Sequence, residues 1–259
     1  MQKSSTYFSP HEILKKYWGY EQFRPQQLSV IESVLAGKDV LTLLPTGAGK
    51  SLCYQIPVLC NKGIGIVVSP LIALMQDQVR DLKSRNIIAI HLGGEMDFYS
   101  QQKVFKEIKN GDYQFIYCSP EKLAQKNFQE FLQSIPVQLI AIDEAHCISQ
   151  WGYDFRPSYR KLDVIKKLFP YIPVLAMTAS AIPMVQEDMI KQLQLHNPSV
   201  ITSSFLRPNL KYAVNKVAVK LHSVRSILSQ KEGSIIIYCG TRNNVTQLTQ
   251  LLKAYKFSV

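Results

Sequence analysis

Two hydrophobic patterns alternate along the chain. Short continuous apolar runs fall at 40–44, 64–69, 87–92, 115–118, 137–142 and 174–177. Between them, apolar residues return every three or four positions: from 50 onward, over 73–83, 101–109 and 121–132, near 160–168, and up to 195. The first pattern predicts buried strands and the second amphipathic helices. Strands that are apolar throughout have no polar face to show to water. Their alternation with helices therefore predicts an α/β fold, a parallel sheet flanked by helices on both faces.

The two ends read differently. Ser9-Pro10-His11-Glu12 predicts a helix start, with a serine cap, proline in the first turn and glutamate three residues after the cap. A second helix is expected over 26–35, stopping at Gly37. Near 203–210 the alternation breaks, and Arg207-Pro208-Asn209 reads as a connector. A strand, helix, strand and helix are predicted at 212–219, 223–228, 235–238 and 243–254. The expected domains are 1–206 and 207–259.

Composition narrows the setting. With 46% hydrophobic residues in 259, the chain can bury a substantial core. No apolar run approaches the ~20 residues of a membrane span, and residues 1–9 lack a secretory signal's apolar stretch. The expected location is the cytoplasm, nucleoid-associated if the source is bacterial. Cys53, Cys60, Cys118, Cys147 and Cys239 form no Cys-x-x-Cys pair. That spacing predicts buried thiols rather than a disulfide framework or zinc site. Net charge is +11, unevenly spread. Residues 1–206 hold 21 Lys+Arg against 18 Asp+Glu, a surplus of 3; residues 207–259 hold 9 against 1, a surplus of 8. The basic end is either a nucleic-acid face or a segment balanced by acidic residues elsewhere.

Candidate chemistry begins after the first predicted strand. Pro45-Thr46-Gly47-Ala48-Gly49-Lys50-Ser51 lies between a strand and a helix, the context a phosphate-binding loop requires. Gly47 and Gly49 let backbone N–H groups close around phosphate oxygens, and the helix N-terminus adds partial positive charge. Lys50 is expected to reach the β- and γ-phosphates and Ser51 to ligate Mg²⁺. Leu44 stands where the general pattern has its first glycine. A second motif, Asp143-Glu144-Ala145-His146, closes the run 139–142, at the strand end where α/β sheets bind ligands. There Asp143 can hold Mg²⁺ through water, and Glu144 can orient and deprotonate an attacking water. His146 can sense the γ-phosphate, or serve only as a structural hydrogen-bonding group.

These two motifs resemble those of superfamily 2 helicases, and their neighbours resemble the RecQ DNA helicases in particular. Trp18-Gly19-Tyr20-Glu21-Gln22-Phe23-Arg24-Pro25-Gln26-Gln27 is similar to that family's N-terminal motif. The resemblance implies that Tyr20 stacks on adenine while Arg24 and Gln27 recognise its edge. Val68-Ser69-Pro70-Leu71-Ile72-Ala73-Leu74 resembles a motif in which Ser69 and the next helix contact a DNA phosphate. Cys147-Ile148-Ser149-Gln150-Trp151-Gly152-Tyr153-Asp154-Phe155-Arg156-Pro157-Ser158-Tyr159 resembles the family's aromatic-rich loop. There Trp151 and Phe155 offer stacking surfaces for unpaired bases, Arg156 offers charge, and Gln150 adjoins His146. Ala176-Met177-Thr178-Ala179-Ser180-Ala181 is similar to a coupling motif in which Thr178 and Ser180 bond to the acidic motif. The segments 205–210 and 236–242 resemble the inter-lobe connector and the first motif of a second lobe.

The resemblance implies two RecA-like lobes, the first within 1–206 and the start of another at 207–259. It also implies ATP and Mg²⁺ as cofactors and DNA, single-stranded and at duplex junctions, as partner. The implied activity is 3′–5′ unwinding in repair and recombination. The family's arginine finger, zinc-binding region and winged-helix module do not occur in these residues. The chain is therefore expected to be a fragment that binds ATP and DNA but turns over slowly. The rival expectations are an RNA helicase or translocase, and a nucleotide- and DNA-binding module without unwinding.

Overall fold

The structure, a computed structural model, describes residues 8–93, 98–111, 113–152, 154–204, 209–230 and 233–259. Tyr153 of the aromatic loop and Phe205, Leu206, Arg207 and Pro208 of the connector lie outside them. The chain divides into two compact units, Met1–Leu206 and Arg207–Val259.

In the first unit, α1 (Pro10–Trp18) and α2 (Gln27–Leu35) precede β1 (Val40–Leu43). The start of α1 is a full capping box. Ser9 Oγ accepts from the Glu12 amide at 3.2 Å, and Glu12 returns the bond to the Ser9 amide at 2.7 Å. Then follow α3 (Leu52–Cys60), β2 (Ile64–Val68), α4 (Ile72–Ser84), β3 (Ala89–Leu92), α5 (Phe98–Asn110) and β4 (Phe115–Cys118). The expected helix over 121–132 is two, α6 (Pro120–Leu123) and α7 (Lys126–Gln133), because Gln125 is extended and restarts the helix. β5 (Val137–Ile142) leads into a 3₁₀ turn at Ala145–Ile148. The helix expected near 160–168 is mostly a 3₁₀ helix, Pro157–Val164, that runs into α8 (Ile165–Leu168). β6 (Val174–Thr178), α9 (Pro183–Gln192) and β7 (Ser199–Thr202) complete the unit.

All seven strands join one parallel sheet in the order β3-β4-β2-β5-β6-β1-β7. Successive side chains point to opposite faces of a strand, and the core divides accordingly. Leu41, Ile66, Ile140 and Ala176 pack on the face covered by α5, α7 and α9. Val40, Val67, Leu139 and Leu175 pack on the other, under α2, α3 and α4. Phe105 of α5 stacks on Phe131 of α7 with centroids 3.8 Å apart, fixing those two helices together.

β7 has no counterpart among the expected strands. Its four residues alternate between half-buried and exposed, so no continuous apolar run marks it. Asp39 builds the edge it joins: Oδ1 accepts from the Val174 amide and Oδ2 from the His196 amide, both at 2.8 Å. Lys166 Nζ lies 2.6 Å from Oδ1, and both side chains are almost fully buried.

In the second unit, α10 (Lys220–Gln230) and α11 (Arg242–Ala254) form, the latter capped by Thr241 Oγ1 accepting from the Asn244 amide at 3.2 Å. The strands expected at 212–219 and 235–238 do not. Among the described residues neither segment has a paired neighbour, and an extended segment without a ladder is no strand. Tyr212, Val214, Ile236 and Tyr238 are exposed, whereas Ile237 and Cys239 share an apolar hollow with Leu248 and Leu252. No helix among the described residues is long and apolar enough to cross a membrane.

Candidate nucleotide site and aromatic loop

The sheet order sets the site. β2, β5, β6 and β1 lie side by side and end together, so Ser69, Asp143-Glu144, Thr178 and the loop 44–51 emerge along one edge. The strands stay paired to the last residue: the Leu44 amide donates to Thr178 O at 3.2 Å, and the Asp143 amide to Val68 O at 2.8 Å.

The loop turns on Gly47 (φ +81°) and Gly49 (φ +75°), both left-handed. A loop that gathers its N–H groups for an anion leaves its carbonyls in need of donors. Arg24 Nη1 donates to Gly47 O, and Gln27 Nε2 donates to Ala48 O and Gly49 O, each at 3.0 Å. Gln27 is buried, and its Oε1 accepts from the Arg24 amide at 2.8 Å. Arg24 and Gln27, expected to read an adenine edge, thus also brace the loop's carbonyls. Tyr20, in the same segment, is exposed and available for stacking. A Cβ on Gly49 would come within 2.6 Å of Gln27 Nε2, so loop and glutamine fit each other closely.

Lys50 Nζ donates back to Leu44 O at 3.3 Å. The loop opens into a cleft of about 280 Å³ whose lining includes Thr46, Lys50, Ser51, Ser69, Asp143 and Glu144. Burial, with the neighbouring Glu144 carboxylate, pushes the Asp143 carboxyl up to about 6. Its own Oδ1 accepts from the Glu144 amide at 3.0 Å. A buried carboxylate held above its ordinary range is a group that a cation would relieve. With the Ser51 hydroxyl in the same cleft, the donors are oxygens, as a hard divalent ion prefers. The residues fit Mg²⁺.

Glu144 is left-handed without being glycine (φ 48°, ψ 43°), a strained conformation that turns its carboxylate toward His146. His146 Nδ1 lies 2.8 Å from Thr178 Oγ1 and 3.4 Å from Glu144 Oε2. Burial lowers the pKa of His146, which favours the neutral ring. The acidic motif and Thr178 are therefore joined directly. Ser180 is not: its amide donates to Thr178 Oγ1 at 3.3 Å and its carbonyl accepts from that hydroxyl at 3.2 Å. Ser69, expected to contact a DNA phosphate, sits at the end of β2. It is buried, its Oγ lies 3.5 Å from the Leu71 amide, and it lines the nucleotide cleft rather than an open phosphate-binding surface.

The aromatic loop follows directly on the acidic motif. Trp151 is 66% exposed and Gln150 is exposed beside it. Phe155 is half-buried, with the Arg160 guanidinium 5.4 Å from its ring centroid. Arg156 is held by Asp154 at 2.9 Å and reaches Pro70 O at 3.5 Å, tying the loop to the β2–α4 turn. A hollow of about 560 Å³ lies between Trp151, His146, Ser180 and Ile182.

A family model described as DEAD/DEAH box helicase matches residues 24–189. The chain belongs to the DEAD/DEAH box helicase family. Its relatives place it with the RecQ type. It is 43% identical to the ATP-dependent DNA helicase RecQ of Pasteurella multocida, over 93% of this chain and 38% of that protein. It is 39% identical to the probable ATP-dependent DNA helicase RecS of Bacillus subtilis, over 94% of this chain and 49% of that one. The chain thus spans between about two fifths and half of the length of these relatives. In fold, this helicase chain is similar to the crystal structure of DUF1998 helicase MrfA, with TM-score 0.71 and 20% identity over 97% of this chain and 42% of that one. It is also similar to Mycobacterium smegmatis helicase Lhr bound to ssDNA and AMP-PNP, with TM-score 0.68 and 16% identity over 99% and 37%.

Two residues of this helicase site have roles that carry no signal in the sequence. Tyr159 is fully buried, and its hydroxyl donates to Asp143 O at 2.8 Å, bracing the acidic turn from below. Asp154 holds Arg156 in place. Only the folding of the aromatic loop back onto the acidic turn brings Tyr159 to Asp143.

Proposed function

We propose that the protein is a RecQ-type helicase that couples ATP hydrolysis to 3′–5′ movement on DNA, with repair and recombination as its setting. The observation that carries this reading is a single cleft lined by Thr46, Gly47, Gly49, Lys50 and Ser51 together with Asp143 and Glu144, while His146 of the same acidic motif contacts Thr178. The loop Thr46-Gly47-Ala48-Gly49 wraps the phosphates, with the Ala48 amide leaving Pro45 O and Lys50 leaving Leu44 O to reach them. Ser51 and Asp143 hold Mg²⁺, which when bound offsets the phosphate charge. Glu144 takes a proton from the attacking water, and His146 passes the state of the site to Thr178. Tyr20 stacks on adenine. Trp151 and Phe155 take unpaired bases, and Gln150 and Arg156 link their occupancy to the acidic motif.

For residues 1–259 alone we expect ATP–Mg²⁺ binding with slow turnover and no unwinding. The reading rests on the family's arginine finger, which contributes ~10³-fold or more in related phosphoryl transfer. Phosphate release should be measured with and without single-stranded DNA and RNA. Glu144→Gln should keep ATP binding and lose about 10²-fold or more in turnover, and Lys50→Ala should lose the binding. Turnover unaffected by Glu144→Gln would sink the assigned base. Stimulation by RNA equal to that by DNA would favour the RNA helicase instead.

A further inference from the structure

The spacing of the cysteines along the sequence argues against a metal site, but the fold gathers one of them with two other donors. Cys147 Sγ lies 3.8 Å from His146 Nε2 and 3.8 Å from Asp154 Oδ2, and the three ligand atoms fall within 4.8 Å of one another. We propose that His146, Cys147 and Asp154 form a binding site for one zinc-class divalent ion, separate from the Mg²⁺ position.

The distances suit the ion. Tetrahedral zinc bonds of about 2.0–2.3 Å put neighbouring donor atoms about 3.5 Å apart, so the donors need only small shifts. The hydrogen bonds around His146 prepare the ring. Thr178 Oγ1 lies 2.8 Å from His146 Nδ1 and can accept from it while donating to Ser180 O at 3.2 Å. The other neighbour of Nδ1 is the Glu144 carboxylate, which also accepts. With its proton on Nδ1, between these two acceptors, the ring leaves the Nε2 lone pair on the side of Cys147 Sγ, 3.8 Å away. A metal-bound histidine is held in this way, with its far nitrogen donating to an oxygen that fixes the tautomer.

Binding proceeds without redox change. The Cys147 thiol releases its proton to solvent. The thiolate sulfur, Nε2 and one Asp154 oxygen then each bond the ion, and water takes the fourth position. The mixed sulfur, nitrogen and oxygen donors favour zinc or cobalt over magnesium. Arg156 opposes the ion electrostatically, because its guanidinium shares Asp154 Oδ2 at 2.9 Å. Asp154 Oδ2, the oxygen nearest Cys147, is therefore shared between Arg156 and the ion. An ion here would bond residues on both sides of Trp151, and so lock the aromatic loop to the acidic motif.

The test titrates the 259-residue chain with Co²⁺ and then with Zn²⁺, in millimolar Mg²⁺. One equivalent of Co²⁺ should give tetrahedral d–d absorption and a thiolate-to-cobalt charge-transfer band, and Zn²⁺ should displace it. Cys147→Ser should remove that band, whereas Cys239→Ser, at the half-exposed cysteine of the other unit, should leave it intact. Asp154→Asn should weaken zinc binding about tenfold or more. Asp154 is about half exposed, so this variant decides even if Cys147→Ser does not fold. A band that survives in Cys147→Ser, unchanged zinc affinity in Asp154→Asn, or no uptake by the parent chain would each overturn the site.

Discussion

Replacing Asp143 by Asn should stabilise the protein while destroying its chemistry. The parent carboxyl is pushed up to about 6, chiefly by burial and then by Glu144. An acid whose pKa is raised on folding adds stability below its unfolded pKa and loses it as pH rises through the folded one. Asp143 therefore favours the folded state near pH 4 and opposes it above pH 6. The full shift corresponds to roughly 3 kcal/mol, and water at the cleft mouth should reduce it to about 2 kcal/mol. Asn keeps the carbonyl oxygen that accepts from the Glu144 amide and removes the charge. In EDTA at pH 8, Asp143→Asn should melt about 4–8 °C above the parent chain. At pH 5 the gain should fall to about half, because the parent's carboxyl is then largely protonated in the folded state. Adding Mg²⁺ with ATP should raise the melting temperature of the parent and not that of the variant. Differential scanning calorimetry at both pH values decides the matter. A variant no more stable than the parent at pH 8, or a gain that does not shrink at pH 5, would refute the reasoning.

Three further outcomes follow from the same geometry. Gly49→Ala puts a Cβ 2.6 Å from Gln27 Nε2 at a left-handed backbone position, so titration with a fluorescent ATP analogue should show at least about a tenfold loss of affinity. Asp39→Ala strands the buried Lys166 ammonium and should cost about 3–5 kcal/mol in urea unfolding, while adding Lys166→Met should recover part of that loss. Trp151→Ala removes an exposed side chain, so stability should change by less than about 0.5 kcal/mol. Its binding to a fluorescent single-stranded DNA should weaken by about 1–3 kcal/mol, and undiminished binding would remove Trp151 from the DNA surface.

Much of this protein is determined by local sequence. Continuous apolar runs can be buried only on both faces, so six of the seven parallel strands and their flanking helices were legible. The Ser9 capping box and the glycines at 47 and 49 were legible for the same reason, since each depends on neighbours a few residues away. Tertiary structure decided whatever depends on a distant partner. β7 exists because β1 offers an edge and Asp39 anchors the segment before it, which no run of residues at 199–202 announces. The segments 212–219 and 235–238 have strand-forming residues but, among the described residues, no paired neighbour, so they do not form strands there. The family resemblance implies that Gln27 recognises adenine, and only the fold shows that its amide also donates to Ala48 O and Gly49 O, because a loop that presents N–H groups to an anion must have its carbonyls satisfied from outside. The sequence alone made Asp143 and Glu144 candidates, but their electrostatics came from packing. Burial raises the Asp143 carboxyl, and the turn after β5 forces Glu144 into a left-handed backbone facing His146.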